Sequence, residues 1–480
     1  MTGTVTGILW LRRDLRLADN PALHEASARC DRLLPLYIQA PDEESPWTPG
    51  AASDWWLHHS LAALGQSLSQ RGSRLALARG ESLGTLLRVA KAIGASRIYW
   101  NRLYDPGTRE RDTRVKVALR EQGLICESFK ALLLFEPWDV RRESGEPYRV
   151  YSAFWRRCAP ALSGLPALPT PVHLPPAPDL PGPELGDLDL LPKIPWDQGL
   201  RERWSPGEDH ALARAARFVS AGLASYGEHR DLPATTGTSG LSPHLHFGEI
   251  SPRQVLDLIA RQLGDLQGPV AEPFVREILW REFAYHLLYH FPDTPEQPLD
   301  PRFARFPWRE EGAQGLLRAW QRGQTGIPLV DAGMRELWHT GWMHNRVRMV
   351  VASFLTKNLR LPWQSGARWF WNTLVDADLA SNTLGWQWSA GCGADAAPYF
   401  RIFNPVRQGE RFDPQGDYVR RWCPELGRLP DKHIHQPWSA PAHVLSGAGV
   451  RLGLDYPRPL VDLSRSRAQA LEAFESIKAP

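Results

Sequence analysis

The chain has 480 residues, of which 43% are hydrophobic and 10% aromatic, and its formal net charge at pH 7 is +3. This length exceeds what one hydrophobic core supports, so two or three domains are expected. The small net charge does not by itself indicate a nucleic-acid partner. A local basic groove is still compatible with it, because the net charge does not show how the charges are distributed. No apolar run approaches the roughly 20 residues of a membrane-spanning helix, so we expect no membrane partner.

The cysteines exclude the commoner metal centres. All five are widely scattered and no two have CxxC spacing, which argues against a zinc site or an iron–sulfur cluster. The N-terminal sequence MTGTVTGILWLRRD lacks the basic and apolar regions of a secretion signal. These features predict a cytoplasmic protein with reduced cysteines and no metal site.

Short apolar runs and amphipathic stretches alternate in residues 1–130. The runs that predict strands are Ile8–Leu11, Leu33–Ile38, Leu75–Leu77 and Arg97–Trp100. The stretches that predict helices are Asp54–Gln70, Ser82–Ala92 and Thr108–Glu121. This alternation predicts an α/β domain with a doubly wound parallel sheet. No GxGxxG follows these strands, so a nicotinamide dinucleotide site is not indicated.

The chain changes character after this domain. Residues 131–206 predict an interdomain connector, which from about residue 160 is rich in proline and nearly uncharged, as in an extended surface segment. Helix signals dominate residues 207–480; for example, Ser251 and Pro252 have the residue types of an N-cap and a first helical position. We therefore predict that a larger all-α domain follows the connector.

The segment Asp376–Trp388, DADLASNTLGWQW, is unusual for an ordinary core. It combines Asp376 and Asp378 with Asn382, and such polar groups are costly to bury without partners. Its two tryptophans, two residues apart, suit a flat ligand or an unstacked base. The combination predicts a site for a planar heterocycle with polar edges.

The segment Thr340–Met349 supplies matching cations and a second asparagine. Asn345, Arg348 and Met349 lie at i, i+3 and i+4, so they are expected to share one helical face. Arg348 and Asp376 are expected to form a buried ion pair, which would need both partners whether or not a ligand lies beside it.

Small and hydroxyl residues fill Gly237–Pro243, GTSGLSP, which reaches a Ser-Pro helix start. Backbone amides and hydroxyls at such a start suit a phosphate group. Taken alone, the segment is more typical of an ordinary capped turn.

Together these segments resemble the photolyase/cryptochrome family of flavoproteins, and the resemblance extends over nearly the whole chain. The motifs that carry it are Leu9–Asn20 (LWLRRDLRLADN), Arg230–Pro233, Gly237–Pro243, Glu277–Phe283 (EILWREF), Thr340–Met349, Asp376–Trp388, Asn404–Pro405 and Pro424–Leu426. The resemblance implies an N-terminal α/β domain that holds an antenna pigment and a helical domain that binds FAD.

The resemblance also implies the FAD contacts. They are Tyr226, Thr238, Ser239, Gly240, Leu241, Ser242, Asn345, Arg348, Asp376, Asp378 and Asn382. Asn382 matches the residue that faces flavin N5, where plant cryptochromes carry Asp. An amide at this position favours the fully reduced, anionic flavin that a repair enzyme needs as electron donor.

A lesion pocket is implied at Glu277, Trp280 and Trp388. In photolyases that repair cyclobutane pyrimidine dimers, the matching tryptophans pack on the flipped dimer and the glutamate hydrogen-bonds the pyrimidine edges. A donor there would stabilise the dimer radical anion, so Glu277 would need to be protonated, which desolvation beside two indoles favours. The alternative is a surface salt bridge between Glu277 and Arg281, at i and i+4.

Two further sets of residues follow from the resemblance. Electron transfer from the surface to photoexcited flavin is implied for Trp386, Trp363 and Trp308, with Trp369 and Trp371 as competing routes or plain core. Contacts with DNA are implied for Arg230, Arg346 and Arg401 and, near the lesion, for Asn345 and Met349. Any one of these arginines is equally compatible with a solvated surface role.

The leading interpretation is a monomeric enzyme that repairs cyclobutane pyrimidine dimers in DNA with light. The segments Pro49–Leu61, Leu103–Pro106 and Glu136–Trp138 are most similar to plant cryptochromes and to the class III photolyases related to them. A blue-light signalling cryptochrome is the main alternative, and Asn382, Trp388 and the short C-terminal region argue against it. A (6-4) photolyase is the second alternative, disfavoured because the stretch around residue 344 lacks the histidine pair of those enzymes.

The class III resemblance favours methenyltetrahydrofolate as the antenna pigment, with a deazaflavin as the alternative. The best-known folate-binding enzymes of the family carry an adjacent Asn-Glu pair where this chain has Gly107 and Thr108. We therefore expect the folate to be held in a different pocket.

Overall fold

The structure is a computed structural model that describes residues 4–396 and 400–478. Its N-terminal part contains a five-stranded parallel sheet with strand order β3-β2-β1-β4-β5. The strands are β1 Thr6–Leu11, β2 Arg32–Gln39, β3 Ala76–Arg79, β4 Arg97–Asn101 and β5 Ile125–Phe129. The central strand β1 is buried along its whole length, as expected when helices cover both faces of a parallel sheet.

Four helices cover the sheet, with α1 and α2 in one hydrophobic layer and α3 and α4 in the other. They are α1 Pro21–Arg29, α2 Ala51–Ser69, α3 Ser82–Ile93 and α4 Pro106–Glu121. Every predicted strand and helix of this domain is present, with ends shifted by a few residues. Strand β5 was not predicted, because it lies at the sheet edge and its sequence, ICESF, has no apolar run.

The connector, residues 131–206, contains helices and buried side chains. It contains two short helices, α5 Tyr151–Cys158 and α6 Gln198–Arg203. In its proline-rich part, Pro176 O accepts a hydrogen bond from Leu33 N of β2 at 3.2 Å. Leu188 and Leu190 are buried in the same core as β1 and α2. The connector therefore also contributes to the core, because these leucines fill part of one hydrophobic layer of the N-terminal domain.

The rest of the described chain is helical. Its α-helices are α7 Glu208–Arg217, α8 Tyr226–His229, α9 Ser242–His246, α10 Pro252–Leu263, α11 Glu272–His290, α12 Ala313–Gln321, α13 Pro328–Thr340, α14 Asn345–Ser353, α15 Trp363–Thr373, α16 Leu379–Ala390, α17 Pro405–Phe412, α18 Asp417–Trp422, α19 Asp431–Ile434, α20 Ala442–Ala448 and α21 Leu463–Ser476. Helix α10 begins as predicted, since Ser251 Oγ accepts from Gln254 N at 3.0 Å. The predicted fold class, a doubly wound α/β domain plus a larger all-α domain, is confirmed.

The loop that follows β1 docks the sheet onto the helices. Leu15 N donates to Phe247 O at 3.1 Å, and Arg16 Nη1 donates to Gly248 O at 2.8 Å. Asp19, in the same loop, accepts from Arg253 Nε at 2.9 Å. These buried contacts hold the carboxyl end of the central strand against the segment between α9 and α10.

Candidate functional site

Helix α16 lies at the centre of the candidate site, where it packs against α11, α14 and α15. Its N-cap is Asp378, whose Oδ1 accepts from Ser381 N at 2.8 Å. Asp376 lies just before the cap, Asn382 in the first turn and Trp386 one turn later. The segment Asp376–Trp388, which was predicted to carry the chemistry, therefore consists of the N-cap of α16, the residues just before it and most of the helix.

Asp378 is held by two buried side chains. The hydroxyl of Tyr285 donates to Asp378 Oδ2, and Nδ1 of His246 lies 3.7 Å from the same oxygen. Burial by itself would raise the pKa of Asp378, but His246, the charge of Arg281 and the Tyr285 hydroxyl lower this pKa below its usual value. Asp378 is thus a fixed carboxylate at neutral pH.

Arg348 and Asp376 form the predicted ion pair. Arg348 Nη2 donates to both Asp376 oxygens, at 2.9 and 3.1 Å, and its Nε donates to Met343 O at 2.7 Å. The Asp376 side chain is 5% exposed and that of Arg348 25%. The pair lies at the boundary between the core and an open surface. Asn345 is exposed at the start of α14 and Met349 is half-buried on the same face.

The side chain of Asn382 has a fixed orientation. Its Nδ2 donates to Ala367 O of α15 at 3.1 Å, which leaves Oδ1 without a hydrogen-bond donor among the described residues. An amide held in this way presents an acceptor that a protonated ring nitrogen can donate to.

The segment predicted to bind phosphate leads into α9. Ser239 Oγ accepts from Leu241 N at 3.3 Å, and Ser242 Oγ accepts from Trp342 Nε1 at 3.4 Å. Gly240 has a φ of 63°, and a Cβ atom there would come within 2.8 Å of Arg214 Nη1. The segment therefore combines a left-handed glycine, hydroxyls and a neighbouring cation, which together suit a phosphate group.

Of the other two members of this predicted set, Thr238 lies within the segment and Tyr226 lies eleven residues before its first residue. Thr238 is half-buried, and Tyr226 is buried with the guanidinium of Arg230 5.2 Å from its ring centroid. The ring of Tyr226 also packs edge-on against Phe274, with centroids 5.3 Å apart. These contacts pack Tyr226 against α11.

Glu277 pairs with Arg230 and not with Arg281. Its Oε1 accepts from Arg230 Nη2 at 2.7 Å, whereas Arg281 donates to Leu132 O at 2.9 Å. The alternative of a Glu277–Arg281 salt bridge is therefore wrong. Arg230 occupies Glu277 Oε1, so a hydrogen bond between Glu277 and a pyrimidine would require this ion pair to open first.

The two predicted lesion-binding tryptophans lie on helices that pack together. Trp280 of α11 stacks on Tyr151, with centroids 3.7 Å apart and planes 10° apart. Trp388 of α16 is half-buried, and its Nε1 donates to Asp395 O at 3.1 Å. Each indole is anchored on one side by the protein and keeps part of its surface exposed.

The tryptophans predicted to carry electrons lie in one hydrophobic core. Trp386 and Trp363 are almost fully buried, and Trp308 packs against the same core while remaining partly exposed. The ring centroid of Trp386 is 5.0 Å from that of Phe370 and 6.1 Å from that of Trp320. Trp320 was not among the predicted residues.

Among the arginines predicted to contact DNA, Arg230 and Arg346 form ion pairs with carboxylates. Arg346 Nη2 lies 2.8 Å from Asp231 Oδ1, and Arg230 is paired with Glu277 as described above. The guanidinium of Arg401 lies 5.9 Å from the centroid of the Phe403 ring. Binding of a phosphate at Arg230 or Arg346 would therefore compete with a carboxylate.

Sequence reasoning missed the residues that hold the predicted ones in place. Tyr285 and His246 fix Asp378, and Arg214 lies against Gly240. The available signal was weak: Tyr285 follows Arg281 by four residues on the same face of α11, which alone suggests an ordinary core tyrosine.

Residues 4–396 and 400–478 contain neither a metal-binding cluster nor a membrane-spanning helix. No group of three or more His, Cys, Asp or Glu side chains is placed to hold a metal ion, and all five cysteines are buried free thiols. In the same residues, no helix combines the length and apolarity required to cross a bilayer.

Comparison with known proteins identifies the family. The model described as DNA photolyase matches residues 7–176, and that of the FAD binding domain of DNA photolyase matches residues 274–476. The chain is 46% identical to the deoxyribodipyrimidine photo-lyase of Agrobacterium fabrum, over 99% of this chain and 98% of that protein. It is 42% identical to cryptochrome-1 of Arabidopsis thaliana, over 99% of this chain and 72% of that protein.

The structure agrees with the sequence comparisons. The crystal structure of a bacterial class III photolyase from Agrobacterium tumefaciens matches with a TM-score of 0.95 and 46% identity, over 100% of this chain and 99% of that one. The predicted family, FAD-binding domain and enzyme class are thus confirmed. The chain belongs to the photolyase/cryptochrome family of flavoproteins, and its enzymatic class is that of the DNA photolyases.

Proposed function

We propose that this enzyme uses light to split cyclobutane pyrimidine dimers in DNA, with reduced FAD as the electron donor. The observation that carries the proposal is Asn382, whose amide is fixed to Ala367 O at the start of α16. Plant cryptochromes carry Asp at this position. The anionic, fully reduced flavin carries a proton on N5, and Asn382 Oδ1 can accept a hydrogen bond from it, so the amide favours this form.

The residues of the site fit FAD, which when bound supplies a light-activated electron donor. The Arg348–Asp376 pair would lie along the isoalloxazine ring, and Asp378 would accept hydrogen bonds from it or from the ribityl chain. Gly240 and Arg214 would hold the pyrophosphate, because a backbone cradle beside a cation suits two anionic groups. The remaining contacts would come from Tyr226, Thr238, Ser239, Leu241, Ser242 and Asn345.

The lesion would lie between Trp280 and Trp388, out of the base stack. The Arg230–Glu277 pair is about a third exposed, so its opening would release a carboxyl group towards the pyrimidine edges and a guanidinium towards a phosphate. Arg346 and Arg401 would add sequence-independent affinity, while the flipped dimer supplies selectivity. We propose that a monomer performs the reaction, since each component lies within one chain.

Illumination of the purified, reduced protein with a dimer-containing oligonucleotide tests this function. Pyrimidine absorbance should recover under blue light and stay constant in darkness. The same oligonucleotide carrying a (6-4) photoproduct should show no recovery. Lack of recovery from the dimer, with one reduced FAD per chain, would refute the proposal and favour a signalling cryptochrome.

Replacement of Glu277 by Gln should lower the repair yield several-fold without releasing FAD. The amide cannot form the ion pair with Arg230, and it is a weaker donor to the negatively charged dimer than a protonated carboxyl group. A matched control is Glu272→Gln, because Glu272 also pairs with an arginine of α11, Arg276 at 3.0 Å, and lies outside the proposed lesion contacts. Equal quantum yields for both variants would remove Glu277 from the reaction.

Replacement of Trp388 by Ala should weaken binding of damaged DNA by roughly 1–3 kcal/mol, the usual value for a base stacked on an aromatic ring. Fluorescence anisotropy with damaged and undamaged oligonucleotides separates this loss from that of phosphate contacts. Trp338→Ala serves as the control, because Trp338 is 59% exposed and has no proposed role in lesion binding. If Trp388→Ala binds damaged DNA as tightly as the parent protein, Trp388 does not contact the lesion.

We further propose that the antenna pigment is methenyltetrahydrofolate and that it occupies the cleft between the two domains. Gly107 and Thr108 line this cleft, so the proposal departs from the sequence-based expectation of a different pocket. This cleft has a volume of about 290 Å³ and is lined by Arg13, Glu44, Trp47, Asp105, Thr108 and Leu379, among others. Asp105 is buried and forms an ion pair with Arg13 Nη1 at 2.5 Å, and within the part of the chain that the structure describes its oxygens accept no hydrogen bond. Pterin ring N–H and amino groups are the donors that such a carboxylate lacks.

A purified sample should show near-ultraviolet absorbance of folate beyond that of FAD. Asp105→Asn should lower the folate content while the FAD content stays unchanged, since Asp105 is outside the proposed flavin contacts. Deazaflavin in a sample from a host able to make both pigments would overturn the choice of folate. Unchanged folate in Asp105→Asn would place the pigment elsewhere.

A further inference from the structure

A chain of aromatic rings leads from Asp378 to the protein surface, separate from the predicted tryptophans. The ring centroids of Tyr285 and Tyr104 are 6.2 Å apart, and those of Tyr104 and Trp138 are 6.3 Å apart. Both tyrosines are at most 1% exposed, whereas Trp138 is 37% exposed. Two ring-to-ring steps thus connect a carboxylate of the candidate flavin site with solvent.

Each tyrosine of this chain donates to its own carboxylate. The Tyr285 hydroxyl donates to Asp378, and the Tyr104 hydroxyl donates to Glu136 Oε2 at 2.9 Å. Glu136 is in turn fixed by Arg102 Nη2 at 2.6 Å. Burial and then the neighbouring carboxylate raise the pKa of Tyr104, and burial and then Asp378 raise that of Tyr285, so both rest as neutral phenols.

This pairing matters because a phenol that loses an electron becomes a strong acid. Its oxidation is favourable only where a base can take the proton at once, and a hydrogen-bonded carboxylate is such a base. The Arg281 guanidinium lies 5.1 Å from the Tyr285 ring centroid, which would disfavour a positively charged ring. Transfer of the proton to Asp378 keeps the oxidised ring neutral.

We propose that Tyr285, Tyr104 and Trp138 form a second route by which electrons reach the flavin. The inference rests on the proposed position of FAD beside Asp378. It gives a role to the segments Leu103–Pro106 and Glu136–Trp138, which supply Tyr104, its carboxylate partner and the exposed end of the route.

Electrons and protons balance at every step. Tyr285 gives an electron inward and its phenolic proton to Asp378. Tyr104 then reduces Tyr285, which recovers its proton from Asp378, while the proton of Tyr104 moves to Glu136. Trp138 reduces Tyr104 in the same way, and a thiol in solution supplies one electron to Trp138. The net result is one electron transferred from the thiol, with every side chain restored.

The route ends at Trp138 and not at the next ring. Trp138 also contacts Tyr289, with centroids 5.5 Å apart, but the guanidinium of Arg109 lies 3.9 Å from the Tyr289 ring centroid. A cation this close opposes the loss of an electron from that ring.

The test uses Trp386→Phe, which blocks the predicted tryptophan route. With oxidised FAD and a thiol, this variant should retain slow photoreduction and show the transient absorbance of a neutral tyrosyl radical. Adding Tyr104→Phe should reduce photoreduction to the level of a dark control and shorten the tyrosyl signal, because a radical on Tyr285 can then only recombine. Adding Trp138→Phe should slow photoreduction. Tyr456→Phe is the matched control, because Tyr456 is equally buried and donates to Asp331 at 2.7 Å, outside this chain of rings.

Two results would overturn the route. One is the absence of a tyrosyl signal in Trp386→Phe, and the other is an undiminished rate of photoreduction after Tyr104→Phe is added. FAD content and dimer repair by chemically reduced enzyme test the proposed function separately, since repair returns its electron to the flavin and needs neither tyrosine.

Discussion

Replacement of Arg348 by Ala should release most of the FAD and destabilise the protein. The change removes the cation that donates to both Asp376 oxygens and leaves a carboxylate that is 5% exposed without its partner. Breaking a buried ion pair from one side costs about 3–5 kcal/mol. The lower end is expected here, because the 25% exposure of Arg348 gives water some access to the site. The ratio of flavin to protein absorbance after purification measures the loss of FAD.

Arg335→Ala provides a control for stability alone. The ion pair of Arg335 Nη1 with Glu425 Oε1, at 2.7 Å, has an arginine as exposed as Arg348, at 25%, and a carboxylate that is more exposed, at 23% against 5% for Asp376. It lies outside the proposed flavin contacts, so its loss should lower the free energy of unfolding while FAD remains bound. If both variants retain the same amount of FAD, Arg348 is not a cofactor contact.

Replacement of Gly366 by Ala should be among the most damaging single changes in the core. A Cβ atom at this position would lie 2.0 Å from Trp386 Cη2 and 2.6 Å from Leu355 Cδ2. Trp386 has little room to retreat, because its ring also contacts Phe370 and Trp320. Overpacking usually costs 1–3 kcal/mol, and we expect about 3 kcal/mol or more here. Displacement of Trp386 should also slow photoreduction of oxidised FAD.

Gly385→Ala isolates the steric effect. Gly385 is also in a helix, but a Cβ atom there would meet no other atom within 4 Å. This variant should be as stable as the parent protein or gain about 0.4–1 kcal/mol, because alanine restricts the unfolded chain. Urea denaturation followed by tryptophan fluorescence compares the two variants. Equal unfolding midpoints would show that the core around Trp386 adapts freely.

The parts of the fold that could be predicted are those specified by nearby residues. The apolar run of β1 and the Ser251-Pro252 start of α10 depend on local pattern and capping, and both are present. Strand β5 depends on its partner β4, because its own sequence has too few apolar residues to indicate a strand. Leu188 and Leu190 are buried for a similar reason, since the sheet beside them creates the apolar surface they fill.

The same distinction applies to the candidate site. The Arg348–Asp376 pair could be predicted because a buried charge is strongly destabilising unless it lies beside a charge of opposite sign. The partner of Glu277 could not be predicted, because Arg230 is 47 residues away in the sequence. Arg281 has the favourable helical spacing from Glu277 but donates to Leu132 O instead. Tyr285 could not be assigned either, because its function depends on a carboxylate 93 residues later in the chain.

The connector determines where this protein can be divided. Strand β2 pairs with β3 only from Leu36 onwards. In the part of β2 before Leu36, the backbone N–H of Leu33 donates to Pro176 O of the connector. A fragment that stops at residue 130 would therefore leave a bare strand edge and an unfilled apolar layer, and such edges promote aggregation. A fragment that continues through Leu190 would retain the Pro176 contact at the strand edge and the two leucines that fill the apolar layer. The smallest unit able to fold alone at the N-terminal end thus extends well past its last strand.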